Sequence, residues 1–126
     1  MKKFLLAIVS TLSISAPVAL RADPVADAVT ATAQQLQTQL PKRIDERTTL
    51  LAVVAAGRRL KYSYRLDEKG ALPEPWEKQQ ADKLRYNVCS HPAMRKMMGL
   101  GVSYSYLYTD AEGLFIADIV VTAPDC

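Results

Sequence analysis

The sequence predicts an α+β fold: a two-layer α/β sandwich whose four-stranded antiparallel sheet carries about three helices on one face, in the order α-β-β-α-α-β-β. Three observations predict it. Apolar residues recur every three or four positions from Val25 to Leu40 and again from Trp76 to Val88. "LKYSYRL" (60–66) and "VSYSYLY" (102–108) alternate strictly between apolar or aromatic and polar residues. Glycine-containing turns follow two of the apolar runs, "TTLLAVVAA" and "VSYSYLY".

Asp23 and Pro24 have the residue types of an N-cap and a first helical position. Val25, Ala28, Val29, Thr32, Leu36 and Leu40 then mark one helix face, which ends near Leu40–Pro41. "LPKRIDERT" is a polar connection, in which Asp45 and Glu46 are expected to pair with their neighbours Arg43 and Arg47. "TTLLAVVAA" is β-branched and apolar on both faces, and Gly57 closes it. Across the short "GRR" the 60–66 strand returns as a hairpin partner, with Leu60, Tyr62, Tyr64 and Leu66 on one face.

"LDEKGALPEP" is a loop rich in Gly and Pro, and Pro75 can open the next helix. Trp76, Gln80, Leu84 and Val88 fall at i+4 steps, so that helix runs to Val88 or Cys89. Ser90 is expected to cap a short third helix, "AMRKMM", which Gly99 stops. A second hairpin follows, with Val102, Tyr104, Tyr106 and Tyr108 on one face, the turn "TDAEG", and Leu114–Thr122 as the return strand.

The first 22 residues are expected to be a cleaved signal peptide. Lys2 and Lys3 form a basic start, Phe4–Ile14 is mostly apolar, and the best cut follows Ala22, with Leu20 breaking the small-residue rule. The apolar run is too short and too rich in Ser, Thr and Pro for a spanning helix. Residues 23–126 then form a single domain in the periplasm or outside the cell. No cysteine follows the apolar stretch, so a lipid-modified start is not expected. Removing Lys2, Lys3 and Arg21 from the 16 basic residues leaves 13, against 13 acidic ones. A neutral domain lacks the electrostatic footprint for nucleic acid or anionic lipid. Arg58, Arg59, Lys61 and Arg65 form a local basic patch, read as a solvated turn and strand face.

Cys89 and the single histidine, His91, stand two residues apart in "NVCSHP". Three readings are open: a thiol nucleophile with its base, a metal site using Cys89, Cys126 and His91, or a disulfide. Catalysis needs a third group to orient the base, and a metal needs three or four ligands. In an oxidising compartment two thiols pair, so a Cys89–Cys126 disulfide is the simplest outcome, with His91 at a helix start. No Gly-x-Ser-x-Gly, phosphate-cradling loop or His-Glu-x-x-His occurs. Hence no catalytic residue, metal or cofactor is expected. Asp118, in the apolar "FIADIVV", is the one unusual carboxylate: a shifted acid, or a residue on the solvent face or paired with a neighbouring strand's Lys or Arg.

Tyr62, Tyr64, Tyr104, Tyr106 and Tyr108 lie on two strands at period two. If those strands are neighbours, the rings form a ladder. Either they are core, with hydroxyls at the rim, or they form a partly exposed surface that binds a peptide or helix. Met94, Met97 and Met98 suit core filling and binding grooves alike.

"LPKRIDERTTLLAV", "LKYSY", "VCSHPAMRKMM", Gly101, "YSYLYTDAEG" and the terminal Cys126 together cover nearly all of residues 23–126. This pattern resembles the quorum-sensing-regulated virulence factor family of small exported bacterial proteins and, more distantly, the beta class of type II secretion pilotins. The resemblance implies an α/β sandwich, a structural Cys89–Cys126 disulfide and no enzymatic activity. For pilotins it implies binding a short helical segment at the end of an outer-membrane secretin subunit. The chain departs from those pilotins in having no cysteine to carry a lipid.

The expectation is therefore a monomeric exported binding module for an envelope or secretion-system protein, without nucleic acid or a membrane anchor. The alternatives are a secreted virulence-associated effector, or a small enzyme built on Asp118 or His91.

Overall fold

A computed structural model describes residues 22–70 and 72–126. The expected leader, apart from Ala22, lies outside the described residues. The order is α1 (Pro24–Gln37), β1 (Lys42–Arg43), β2 (Thr48–Ala56), β3 (Arg59–Leu66), α2 (Trp76–Ser90), α3 (Pro92–Gly99), β4 (Ser103–Thr109) and β5 (Phe115–Val121). A single 3₁₀ turn, Ala123–Asp125, closes the chain.

Asp23 caps α1 as its residue type predicts: Oδ1 accepts the amides of Val25 at 3.1 Å and Ala26 at 3.0 Å. Its other oxygen takes the Arg58 guanidinium at 3.0 Å. That ion pair and the cap bonds hold the Asp23 carboxyl below its ordinary range. Helix α1 ends at Gln37 rather than at Leu40, with Thr38 at its C-cap, and the Gln37 side chain accepts the Val53 amide of β2 at 3.0 Å. Gly57, at φ +59°, makes the tight β2–β3 turn.

The sheet differs from the expected four antiparallel strands. It has five strands in the order β1-β2-β3-β4-β5, and β3 pairs with β4 in parallel. Period-two patterning carries no strand direction. Direction is set by the connection, and here residues 67–102 carry α2 and α3 back to the starting end of β3, as a parallel crossover requires. The fifth strand, β1, is two residues inside the stretch expected as a polar connection; both are exposed and lack the apolar alternation that marks a strand.

Arg43 and Arg47 do not pair with the carboxylates beside them. They reach Asp67 at 2.8 Å and Glu68 at 2.5 Å, across the sheet end, while Asp45 Oδ1 accepts the Arg47 backbone amide. That local bond lowers the Asp45 pKa. The cap of α3 also differs: His91, not Ser90, holds the N-cap, its Nδ1 accepting the Met94 amide at 3.3 Å. Ser90 remains inside α2, with its hydroxyl donating to the Tyr86 carbonyl.

One sheet face packs on the helices. Val53, Leu60, Tyr106 and Val121 are buried there, against Val29 of α1, Val88 of α2 and Met98 of α3. Helix α1 lies over β2 and β3; α2 lies over β5 and against α3. Cys89 and Cys126 form a disulfide with Cα atoms 5.5 Å apart, tying the end of the chain to α2.

Candidate functional site

The in-register parallel pairing of β3 and β4 sets Leu60 beside Tyr104, Tyr62 beside Tyr106 and Tyr64 beside Tyr108. All five tyrosines of the sequence-predicted set therefore share the helix-side face. The rings of four of them form a continuous stack, with Tyr62–Tyr106 and Tyr64–Tyr108 centroids 5.1 Å apart and Tyr64–Tyr106 6.2 Å; Tyr104 stands outside it. Trp76 of α2 meets Tyr108 edge-on at 5.3 Å. The sixth tyrosine, Tyr86, stands apart on α2 and is exposed.

The five are not equivalent. Tyr104, Tyr106 and Tyr108 are buried, whereas Tyr62 and Tyr64, on the strand between α1 and the other helices, are half-buried. Helix α1 packs on β2 and part of β3, and α2 on β5, so the rings of β3 floor the space between the two helices; Tyr62 and Tyr108 each border a hollow at one end of it, and Tyr64 and Tyr106 border neither. Gln80 of α2 donates to the Tyr108 hydroxyl at 2.8 Å. The hydroxyls of Tyr62, Tyr64, Tyr104 and Tyr106 take no partner among the described residues, and none is sealed from water. The floor is thus apolar ring with hydroxyl groups left for an incoming partner.

Burial raises all five phenols, and the neighbouring phenols add to it for Tyr62, Tyr64 and Tyr106; Tyr62 is pushed up to about 12. The floor is therefore uncharged at any physiological pH, and offers hydrogen bonds but no ion pair.

The two ends of the tyrosine row differ in character. At one end a hollow of ≈ 190 Å³ lies between α1 and α3, lined by Val29, Thr32, Tyr62, Met94, Met97 and Tyr104. Met94 and Met97 supply its adaptable wall, while Met98 points into the core. At the other end a polar hollow of ≈ 330 Å³ is bordered by Asp45, Arg47, Glu68, Gln80 and Lys83, with Tyr108 at its base. A wider depression, ≈ 850 Å³, lies outside this row, between the loop leading into α2 and Leu114–Ile116.

The remaining candidates have structural roles. Cys89 is spent in the disulfide and His91 in capping α3. Asp118 is exposed and has no ion-pair partner among the described residues. No cluster of three or more His, Cys, Asp or Glu among the described residues is placed to hold a metal ion.

Sequence reasoning missed Asp110, the first residue after β4. It is 2% exposed. Oδ1 accepts the amides of Glu112 and Leu114, and Oδ2 accepts that of Gly70 at 3.1 Å. These backbone donors, Leu114 foremost, lower its pKa. Asp110 both shapes the β4–β5 turn and pins the loop that leads to α2, the wall of the cleft. An Asp opening a turn is so common that the second, long-range bond left no signal in the sequence.

No protein-family model and no curated protein sequence matches the chain. Solved structures do match in fold. The pilotin EpsS of the Vibrio vulnificus type 2 secretion system superposes with a TM-score of 0.71 at 16% identity, over 82% of this chain and 92% of that one. The type II secretion system pilotin AspS of Vibrio cholerae gives 0.66 at 21% identity, over 82% and 93%. A candidate secreted protein of Pseudomonas aeruginosa gives 0.69 at 16%, over 82% and 93%. The chain has the pilotin fold.

Proposed function

We propose that the protein is an exported, non-enzymatic binding module that holds a short segment of a cell-envelope protein, a subunit of a secretion apparatus, in the tyrosine-floored cleft between α1 and α2–α3. The observation that carries this reading is the row of stacked rings, in which the hydroxyls of Tyr62, Tyr64 and Tyr106 take no partner among the described residues, beside a methionine-walled hollow. From Leu60 to Leu66 the floor runs roughly 20 Å, at about 3.3 Å per strand residue. An amphipathic helix of about 13 residues spans that length at 1.5 Å per residue. Such a helix would set apolar side chains against Met94 and Met97 and bring a charged end to Arg47, Glu68 and Lys83. The pilotin likeness supports a secretion-system partner, and the disulfide supports an oxidising compartment.

Cross-linking in the native envelope, followed by mapping of the linked residues, tests this. A secretion-apparatus subunit linked to residues of α1 or α3 that border the cleft is the expected outcome. Links confined to other faces, or their persistence in a Tyr62→Phe, Tyr64→Phe variant, would refute it. A second reading, a secreted virulence-associated effector, is favoured by the likeness to the secreted Pseudomonas candidate. It predicts accumulation in the culture medium and no envelope partner.

A further inference from the structure

Residues 23–126, with 13 basic and 13 acidic side chains, are neutral in sum but uneven in layout. On the sheet face away from the helices the strand registers place Arg43 of β1 and Arg59, Lys61 and Arg65 of β3, against one acidic strand residue, Asp118 of β5. Arg43 is taken up by Asp67. Arg59 donates to the Ser103 hydroxyl at 3.0 Å and keeps its charge uncompensated. Lys61 and Arg65 are exposed and have no carboxylate within ion-pair reach among the described residues. Arg59 and Lys61 stand about 7 Å apart and Arg65 about 13 Å further along, past Ser63, so the three cations form an interrupted row along the middle of the sheet.

Apolar groups flank that row. Val54, 51% exposed, is the cross-strand neighbour of Lys61. Arg65, Thr109 and Phe115 follow one another across three strands, and Phe115 is 68% exposed. A solvent-facing phenylalanine on the edge strand, two strands from Arg65, has no role in the core. A cation row alone would suit any polyanion; with an aromatic and an aliphatic group beside it, the face matches a lipid headgroup layer, phosphate outside and hydrocarbon beneath.

We propose that this open sheet face docks peripherally on anionic phospholipid, with Arg59, Lys61 and Arg65 taking headgroup phosphates and Phe115 and Val54 entering the interface. No described helix is long and apolar enough to cross a membrane. Docked in this way, the protein turns the tyrosine cleft, on the opposite face, away from the bilayer.

Sedimentation of the purified protein with vesicles tests the proposal. The vesicles are phosphatidylethanolamine with either phosphatidylglycerol or phosphatidylcholine, in 3:1 ratio, at low and high salt. Partition is expected to be at least tenfold stronger on the phosphatidylglycerol vesicles and to be lost at high salt. Lys61→Gln, Arg65→Gln is expected to weaken it about 25-fold, at about fivefold per cation. Phe115→Ser weakens it further, and none of these exposed changes moves the melting temperature. Lys78→Gln, Lys96→Gln, which removes two exposed cations from the helix layer, is expected to change partition less than twofold. Equal partition onto both vesicle types, or equal loss in the helix-layer control, would overturn the proposal. Binding to soluble polyglutamate with none to vesicles would overturn it too, and would assign the face to an acidic protein.

Discussion

Replacing Tyr62 and Tyr64 together by Phe separates a core role for the tyrosine row from a binding role. Neither hydroxyl has a protein partner among the described residues, and both reach water. Folding therefore gains no hydrogen bond from them, and the rings that stack at 5.1 Å remain. The expected change in folding stability is within about 0.5 kcal/mol. Tyr108→Phe is the contrast, because it removes the bond that Gln80 donates at 2.8 Å. It is expected to cost about 1 kcal/mol, the net worth of an ordinary hydrogen bond. A bound partner changes this ordering. Two hydroxyls that each contribute about 0.5–1.5 kcal/mol to a complex predict affinity weaker by roughly 5- to 150-fold in the double variant. Urea unfolding of the three proteins gives the first comparison, and cross-linking yield in the native envelope the second. A double variant destabilised as much as Tyr108→Phe would mean that the hydroxyls are used within the fold. Unchanged stability with unchanged capture would mean that the cleft is not the binding surface.

Other perturbations probe the frame around the cleft. The Cys89–Cys126 bridge closes a loop of 37 residues in sequence separation, for which the loop-entropy relation gives about 4 kcal/mol. Cys89→Ser, Cys126→Ser is thus expected to lower the melting temperature by roughly 15 °C or more, as read by calorimetry. Gly101 sits at φ +93°, and an added Cβ would lie 3.0 Å from the Arg58 guanidinium that holds the Leu100 carbonyl. Gly101→Ala is expected to cost about 1 kcal/mol or more in urea unfolding. Asp110, with its pKa lowered in the folded state, contributes stability that is present above the ordinary carboxylate range and lost as pH falls through its folded value. Thermal melts from pH 5 to pH 2 should therefore fall more steeply in the wild type than in Asp110→Asn. The tyrosines have the opposite sign. Their raised pKa values mean that the unfolded chain ionises first, so stability is full below about pH 10 and declines through pH 12. Tyr62→Phe should flatten that alkaline decline.

Much of this frame is legible in the sequence, and what escapes has physical causes. The N-cap of α1, the faces of α1 and α2, both hairpin turns and the alternation of 60–66 and 102–108 follow from local rules and reappear in the structure. The strand pairing does not, because alternation has the same period in parallel and antiparallel ladders, and only the two-helix crossover reverses the return. The pairing of Arg43 with Asp67 and of Arg47 with Glu68 likewise depends on which strands end side by side. His91 competes with Ser90 for one cap, and the helix start one residue later decides it. The tyrosine ladder was conditional in the sequence on the adjacency of two strands. Adjacency supplies the floor, and the cleft arises because neither α1 nor α2 covers β3 completely.

The same crossover organises both faces of the sheet. By returning parallel to β3, β4 puts its tyrosines in step with Tyr62 and Tyr64 on the helix side. It also puts its small polar residues, Ser103 and Ser105, beside Arg59 and Lys61 on the other side. The short side chains supply no carboxylate to neutralise those cations, and the one acidic strand residue of that face, Asp118, lies two strands away from β3. A sum over residues 23–126 cancels these charges against acidic residues on the loops and helices, so net charge is a poor guide to what one face attracts. The alternation in "RLKYSYR" thus has two outputs, a neutral aromatic cleft on one face and a cation row on the other. Exchanging Lys61 with Tyr62 would damage both at once: it would bury an ammonium group without a carboxylate partner and break the ring stack. That variant should fail to fold, whereas Lys61→Gln leaves the cleft intact, and the difference between the two shows that the faces are set by register and not by composition.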